Sequence, residues 1–244
     1  MAGNTEEQLL EHRLQKLFEQ ALKRYSLIED GDRILVGLSG GKDSMALLEF
    51  LSRRSRIFRP RFSVVAAYVR MTNIPYQNDE AFLSDFAREH DTPLHIVETS
   101  FSDTDGSRSP CFLCSWNRRK MLFSTAQQLG CNKIALGHHR DDLMQTALMN
   151  LTYEGRFSTM PPRMTMDKFP VEIIRPLCLM RESDLQLFAQ HRNFVRQKRL
   201  CPYENDSRRA DMKRMVERFE ELNPEFAYTF FTALERTFTA ESQK

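Results

Sequence analysis

Ile34-Leu35-Val36-Gly37-Leu38-Ser39-Gly40-Gly41-Lys42-Asp43-Ser44-Met45-Ala46-Leu47-Leu48-Glu49-Phe50-Leu51 decides the fold class. The first five residues form a short apolar run of the kind that becomes a buried parallel strand. The last seven read as a helix. Between them lies a glycine pair, which lets backbone approach a bulky anion. A helix that starts there points N–H groups and the positive end of its dipole at that anion. Lys42 adds a point charge, and Ser39 and Ser44 add hydroxyl groups. Ser39, Gly40, Gly41, Lys42, Asp43 and Ser44 are therefore candidate phosphate-binding residues. The spacing is not that of a Walker A loop, which places four residues between its first glycine and Gly-Lys.

Working outward, strand and helix patterns alternate. Phe62 to Val69, Leu94 to Glu98, Lys133 to Gly137 and Val171 to Ile174 read as strands. Asn78 to His90, Cys114 to Leu129 and Asp141 to Leu151 read as helices. Repeated β-α units imply a doubly wound, mainly parallel α/β sheet covered on both faces. Ligands of such sheets sit beyond the carboxyl ends of the strands. Candidate ligand segments follow Leu38, Val69 and Leu136, which makes Val69, Gly137 and His138 candidate nucleotide contacts. Before the sheet, Leu10, Leu14, Leu17, Phe18, Ala21, Leu22 and Tyr25 keep helical spacing, and Thr5 with Gln8 forms a capping-box pattern. Thr152 to Pro170 reads as a loop carrying Arg156, Arg163 and Lys168. Glu182 to His191, Ser207 to Leu222 and a last segment from Pro224 to about Phe238 read as helices. The expected organisation is an N-terminal helical segment (1–30), a nucleotide-binding domain (31–180) and a C-terminal helical part (181–244).

Composition narrows the class. The chain has 244 residues, 41% of them hydrophobic, and a net charge of +2. No apolar run reaches the length of a membrane-spanning helix, and the polar, acidic start after Met1 lacks a secretory pattern, so a cytoplasmic location is expected. Basic clusters at Arg118-Arg119-Lys120, Arg196 to Arg199 and Arg208-Arg209 are solvated faces or phosphate contacts. Five cysteines, an odd number, argue against a disulfide framework in that compartment.

Cys111-Phe112-Leu113-Cys114 places two thiols close together at a helix start, where the dipole favours thiolates. A redox pair, a zinc site and an iron–sulfur cluster compete for this motif. Zinc wants four ligands, and no second Cys-x-x-Cys follows. A cluster on Cys111, Cys114 and a distant third cysteine would keep one iron open. Cys201, in a polar stretch, is the candidate third ligand, and Cys131 and Cys178 read as packing residues. Spacing alone leaves iron–sulfur and zinc open. Gly137-His138-His139-Arg140-Asp141-Asp142 again lies between strand and helix. Asp141 or Asp142 is a candidate helix N-cap, and with Asp43 these carboxylates are candidates for Mg²⁺.

Ser39 to Ser44 resembles the pyrophosphate loop of the ATP pyrophosphatases. With Cys-x-x-Cys, Gly-His-His-Arg-Asp-Asp, Met160-Pro161-Pro162, Ile174-Arg175-Pro176-Leu177 and the late cysteine in one order, the chain resembles the tRNA 2-thiocytidine synthetase (TtcA-type) family over roughly residues 30 to 220. That resemblance implies the PP-loop (N-type ATP pyrophosphatase) fold with helical additions at both ends. It implies an enzyme that uses ATP, Mg²⁺ and a [4Fe-4S] cluster to thiolate a cytidine in a tRNA anticodon loop. By the same resemblance, Cys111, Cys114 and Cys201 hold the cluster, Asp43 and Asp142 serve ATP activation and metal, and Arg118 is a basic position near the cluster. tRNA, ATP and a sulfur donor such as a cysteine desulfurase are the implied partners, and a homodimer is a further expectation. Cys201-Pro202-Tyr203-Glu204 departs from related thiolating enzymes that carry a second Cys-x-x-Cys there. The rival readings are a 2-thiouridine synthetase, a lysidine synthetase and a zinc-stabilised RNA-binding module.

Overall fold

A computed structural model describes residues 5–74, 76–77, 79–102, 109–166, 169–194, 198–199 and 208–241. In chain order the elements are α1 (Glu6–Arg24), β1 (Arg33–Gly37), α2 (Lys42–Ser55), β2 (Ser63–Met71), β3 (Tyr76–Gln77), α3 (Glu80–Glu89), β4 (Leu94–Thr99) and α4 (Pro110–Gln128). They continue with β5 (Lys133–Ala135), α5 (Arg140–Glu154), β6 (Arg163–Thr165), β7 (Glu172–Ile174), α6 (Glu182–His191), β8 (Lys198–Arg199), α7 (Arg208–Leu222) and α8 (Phe226–Glu241).

Six strands form one sheet in the order β4-β2-β1-β5-β7-β6. Every pairing is parallel except β6 with β7. β3 and β8 make a separate antiparallel pair. The chain builds outward from β1 through β2 to β4, then returns to place β5 on the other side of β1. The order therefore reverses between β1 and β5, and a crevice opens outside their carboxyl ends. The sequence puts its glycine-rich hexapeptide after β1 and its Gly-His-His segment after β5, so both arrive at that crevice.

The period of two along β1 explains the two covered faces. Ile34 and Val36 enter a core shared with Leu14 and Phe18 of α1, Leu47 and Phe50 of α2, Leu185 and Phe188 of α6 and Leu234 of α8. Leu35 points the other way, into a smaller core with Val65, Phe123, Ala126, Ile134 and Ile173 beneath α4. Phe50 stacks between Phe18 and Phe188, each ring centroid 5.3 Å away, which locks α1 and α6 onto α2. α1 begins with the expected capping box of Thr5 and Gln8. Cys131 and Cys178 are buried packing residues.

Three local readings need correction. The helix expected from Cys114 starts at Pro110, because Ser109 caps it by accepting the Phe112 N–H at 3.3 Å and proline suits the first turn. The loop expected from Thr152 to Pro170 contains β6, a three-residue antiparallel edge strand. Arg163 on that strand does not reach toward a substrate; its guanidinium pairs with Glu172 and Glu29, each at 2.9 Å, and donates to the Ser26 carbonyl at 2.7 Å. Third, neither Asp141 nor Asp142 is the N-cap of α5. His139 is, with its ring Nδ1 accepting the Asp142 N–H at 3.4 Å while Asp142 accepts the His139 N–H at 3.1 Å. Among the described residues no helix is long and apolar enough to cross a membrane.

Candidate active site

The hexapeptide folds into a compact turn held by its own hydroxyls. The Ser39 N–H donates to Ser44 Oγ at 3.1 Å, and the Ser44 hydroxyl donates to the Gly41 carbonyl at 2.9 Å. Gly40 takes φ of +77°, a left-handed conformation that side chains other than glycine's resist. Gly41 is the N-cap of α2 and brings no capping side chain. The first turn of α2 is thus left without the protein cap that α1, α4 and α5 each have.

The β5–α5 segment closes on this turn. A Cβ on Gly137 would lie 3.0 Å from the Asp43 carbonyl carbon and 3.1 Å from the Ser44 nitrogen. Only glycine lets the two loops come so close. Together they line a cavity of about 350 Å³. β1 and its loop contribute Gly37, Leu38, Ser39, Gly41, Asp43 and Ser44; β2 contributes Ala67, Tyr68 and Val69; the segment after β5 contributes Leu136, Gly137, His138 and Asp142. α4 closes one side with Arg118 and Leu122, and α7 another with Arg209.

The charges in the cavity are uneven. Burial pushes the Asp43 carboxyl above its ordinary pKa, against the pull of Lys42 and His139. Its Oδ1 is buried without a hydrogen-bond partner among the described residues. A carboxylate oxygen of this kind is the hard oxygen ligand that Mg²⁺ takes. Asp142 is engaged instead: it accepts the His139 N–H and pairs with Arg209 at 3.3 Å. Asp141 turns away and accepts the Glu182 N–H at 2.8 Å, so it caps α6 in trans. His138 is held neutral, its pKa pushed down to about 4 by burial and by the Arg175 charge, and its Nδ1 is buried without a hydrogen-bond partner among the described residues.

Of the expected phosphate residues, Ser39, Gly41, Asp43 and Ser44 line the cavity, whereas Gly40 shapes the turn behind it. Lys42 sits apart from the cavity wall, its Nζ 3.1 Å from Asp43 and 3.5 Å from Glu182. Burial pushes Glu182 up, but its hydrogen bond from Lys213 and the Lys42 charge outweigh this and leave its pKa below the usual carboxylate value. Val69, Gly137, His138, Asp142 and Arg118 all reach the cavity. Cys111 and Cys114 lie on the first turns of α4; with Arg118 and Leu122 they recur at i, i+3, i+7 and i+11, which is one face of a helix. The two thiols therefore share the face of α4 that closes the cavity. Their soft donors and accessible position fit an iron–sulfur or zinc ligand pair; Cys201 lies outside the described residues, as do Ser207 and Lys168.

Sequence reasoning did not place Arg209 or Glu182 here. Arg209 belongs to a basic pair that reads as ordinary helix surface. Only the return of α7 across the carboxyl edge of the sheet brings it to Asp142.

A parallel sheet with an uncapped glycine loop at its switch point defines a nucleotide-binding α/β protein. The family described as PP-loop domain matches residues 7–214. A tRNA-cytidine(32) 2-sulfurtransferase of Paraburkholderia xenovorans (strain LB400) is 36% identical over 228 residues, covering 91% of this chain and 67% of that protein. One of the same name from Alkalilimnicola ehrlichii is 35% identical, covering 93% and 73%. The solved U34-tRNA thiolase NcsA from Methanococcus maripaludis, with its [4Fe-4S] cluster, shares the fold with a TM-score of 0.82 at 24% identity, covering 97% of this chain and 81% of that one. The chain belongs to the PP-loop domain family, and within it to the tRNA-cytidine(32) 2-sulfurtransferases.

Proposed function

We propose that this protein activates C2 of a cytidine in a tRNA anticodon loop with ATP and exchanges the C2 oxygen for sulfur, releasing AMP and pyrophosphate. The carrying observation is the shared cavity: it is lined by the α2 turn, which Gly41 leaves without a side-chain cap, and by Arg118 and Leu122, which stand on the same helical face of α4 as Cys111 and Cys114. Its curated relatives, named tRNA-cytidine(32) 2-sulfurtransferases, support the reaction and the RNA substrate.

The first-turn N–H groups of α2 and the loop hydroxyls would bind the leaving pyrophosphate, whose growing charge such fixed dipoles stabilise. Asp43, with one carboxylate oxygen unsatisfied, is the better of the two acidic candidates for Mg²⁺; Asp142 already answers to His139 and Arg209. The C2 oxygen attacks the α-phosphorus, pyrophosphate leaves, and a sulfur nucleophile then attacks C2 and expels AMP. His138, neutral at physiological pH, offers a hydrogen-bonding edge without adding a charge that would compete for phosphate. Arg118 and Arg209 line the cavity and would hold the α-phosphate during both attacks. Cys111, Cys114 and Cys201 would hold a [4Fe-4S] cluster, which when bound supplies an open iron for sulfide. A cysteine desulfurase as the sulfur source, a cytoplasmic setting and a homodimer complete the reading.

The test is anaerobic incubation with tRNA, ATP, Mg²⁺ and sulfide, followed by nucleoside analysis. 2-Thiocytidine with an equal amount of AMP supports the proposal. 2-Thiouridine, lysidine formed from added lysine, or tRNA binding without AMP formation each contradicts it.

A further inference from the structure

α4 carries a second functional face. Phe112, Trp116 and Phe123 recur at i, i+4 and i+11, so they form one apolar stripe, turned away from the thiols. At its far end the stripe is core: Phe123 is buried and stacks on Phe169 at 4.8 Å. Toward the helix start it runs on into solvent, with Trp116 47% and Phe112 45% exposed. A single exposed aromatic is ordinary; a core-type stripe that outruns its core is not. Its flank is basic. Lys120 lies over the Trp116 ring, 5.4 Å from the centroid, and Arg119 beside it is exposed. No Asp or Glu occurs anywhere in α4.

We propose that this face is a stacking platform for an unpaired base of the RNA loop whose target cytidine enters the adjoining cavity. The inference rests on the tRNA thiolation reading above and names the surface that reading requires. Indole and lysine together match a nucleotide: a base that stacks on the ring displaces the Lys120 ammonium, which then pairs with the flanking phosphate. Such stacking needs bases out of a duplex, which an anticodon loop supplies. Arg118 and Leu122 line the cavity from the neighbouring face of the same helix, so the platform and the reaction site are rigidly linked. One base stacked on Trp116 would hold the loop while the target base of the same loop enters the cavity. The acid-free helix also favours a polyanion over an acidic-surface-avoiding apolar partner.

Trp116 is the only tryptophan in the chain, so intrinsic fluorescence reports this contact directly. The experiment titrates the full-length protein with an unmodified anticodon stem-loop RNA and, in parallel, with a blunt RNA duplex of equal phosphate number. The stem-loop is expected to quench emission saturably and the duplex to leave it nearly unchanged. Trp116→Ala should weaken stem-loop binding roughly tenfold, Trp116→Phe should stay within about threefold, and ATP affinity should be unchanged in both. Stem-loop binding with unaltered emission, equal quenching by duplex, or wild-type affinity in Trp116→Ala overturns the platform; thiolation would still stand. An emission change on raising protein concentration without RNA overturns it too, because a second copy then covers the face. Failure of the wild type to bind stem-loop RNA at all sinks the platform and the thiolation reading together.

Discussion

Gly137→Ala probes the contact on which the cavity depends. The added methyl would sit 3.0 Å from the Asp43 carbonyl carbon, 3.1 Å from its oxygen and 3.1 Å from the Ser44 nitrogen. All three are backbone atoms of the phosphate turn, so no side chain can rotate away. Restoring ordinary contact requires the two loops to part by roughly 0.5–1 Å, and overpacking of this kind costs about 1–3 kcal/mol. For a chain of this size, 2 kcal/mol lowers Tm by about 4–8 °C. The parting also moves Asp43 and Ser44 relative to His138 and Asp142, and a 1 Å misplacement of reacting groups costs about 100-fold in rate. Gly37→Ala is the matched control: its methyl would meet only the ends of Leu122 and Leu136, at 3.3 and 3.4 Å, and these can yield. Thermal unfolding and AMP release in the presence of tRNA measure both effects. Gly137→Ala should lower Tm by several degrees and slow AMP release at least about tenfold, with Gly37→Ala much milder. Wild-type Tm and rate in Gly137→Ala, or equal damage from the two substitutions, would refute the reasoning.

Asp43→Asn removes a carboxylate that burial disfavours. Because its folded pKa is raised, the folded state holds its proton longer, and the charge costs stability as pH rises through the window above the ordinary aspartate value. The variant should therefore be at least as stable as wild type at pH 7 in urea unfolding while AMP formation falls by roughly 100-fold or more; lost stability with retained activity contradicts this. His138 has the opposite sign. Its folded pKa is depressed from 6.5 to about 4, so stability present above pH 6.5 is lost as pH falls through that interval. At about 1.4 kcal/mol per pH unit the loss is at most about 3.5 kcal/mol, and His138→Gln should flatten it in a pH series of unfolding curves. Arg209→Ala should raise the KM for ATP but change stability by under about 1 kcal/mol, because its pair with Asp142 is partly exposed; an unchanged KM removes Arg209 from the site.

The sheet and the core of the site were readable because they rest on short-range patterns. Apolar runs located the strands, the glycine-bearing segments after β1 and β5 located the crevice, and the Thr5 capping box located the first helix. What was not readable lies in tertiary contacts or in very short elements. β6 has three residues, two of them partly buried and one exposed, and shows no period to detect. At the start of α5 the aspartates match the usual capping preference, yet buried His139 takes the cap and frees Asp141 to bind α6 and Asp142 to face Arg209. The start of α4 was marked in the sequence by Ser109-Pro110, a cap followed by proline, and was placed one turn late. Arg209 stood in a basic pair that could be surface or phosphate contact, Glu182 had no local signal, and only the packing of α6 and α7 brings them to the phosphate turn. The same limit applies to the thiols: helical spacing puts Cys111 and Cys114 on one face of α4 with Arg118 and Leu122, and Cys201, the third ligand of the proposal, lies outside the described residues.

The proposed three-cysteine ligand set is tested most directly by iron and sulfide analysis of anaerobically purified protein beside its Cys201→Ala and Cys114→Ala variants. The account predicts a brown wild type with about four irons per chain and near-complete loss of iron and thiolation in both variants, with ATP binding kept. A colourless zinc-bearing wild type, or a Cys201→Ala variant that keeps its iron and its activity, would contradict it.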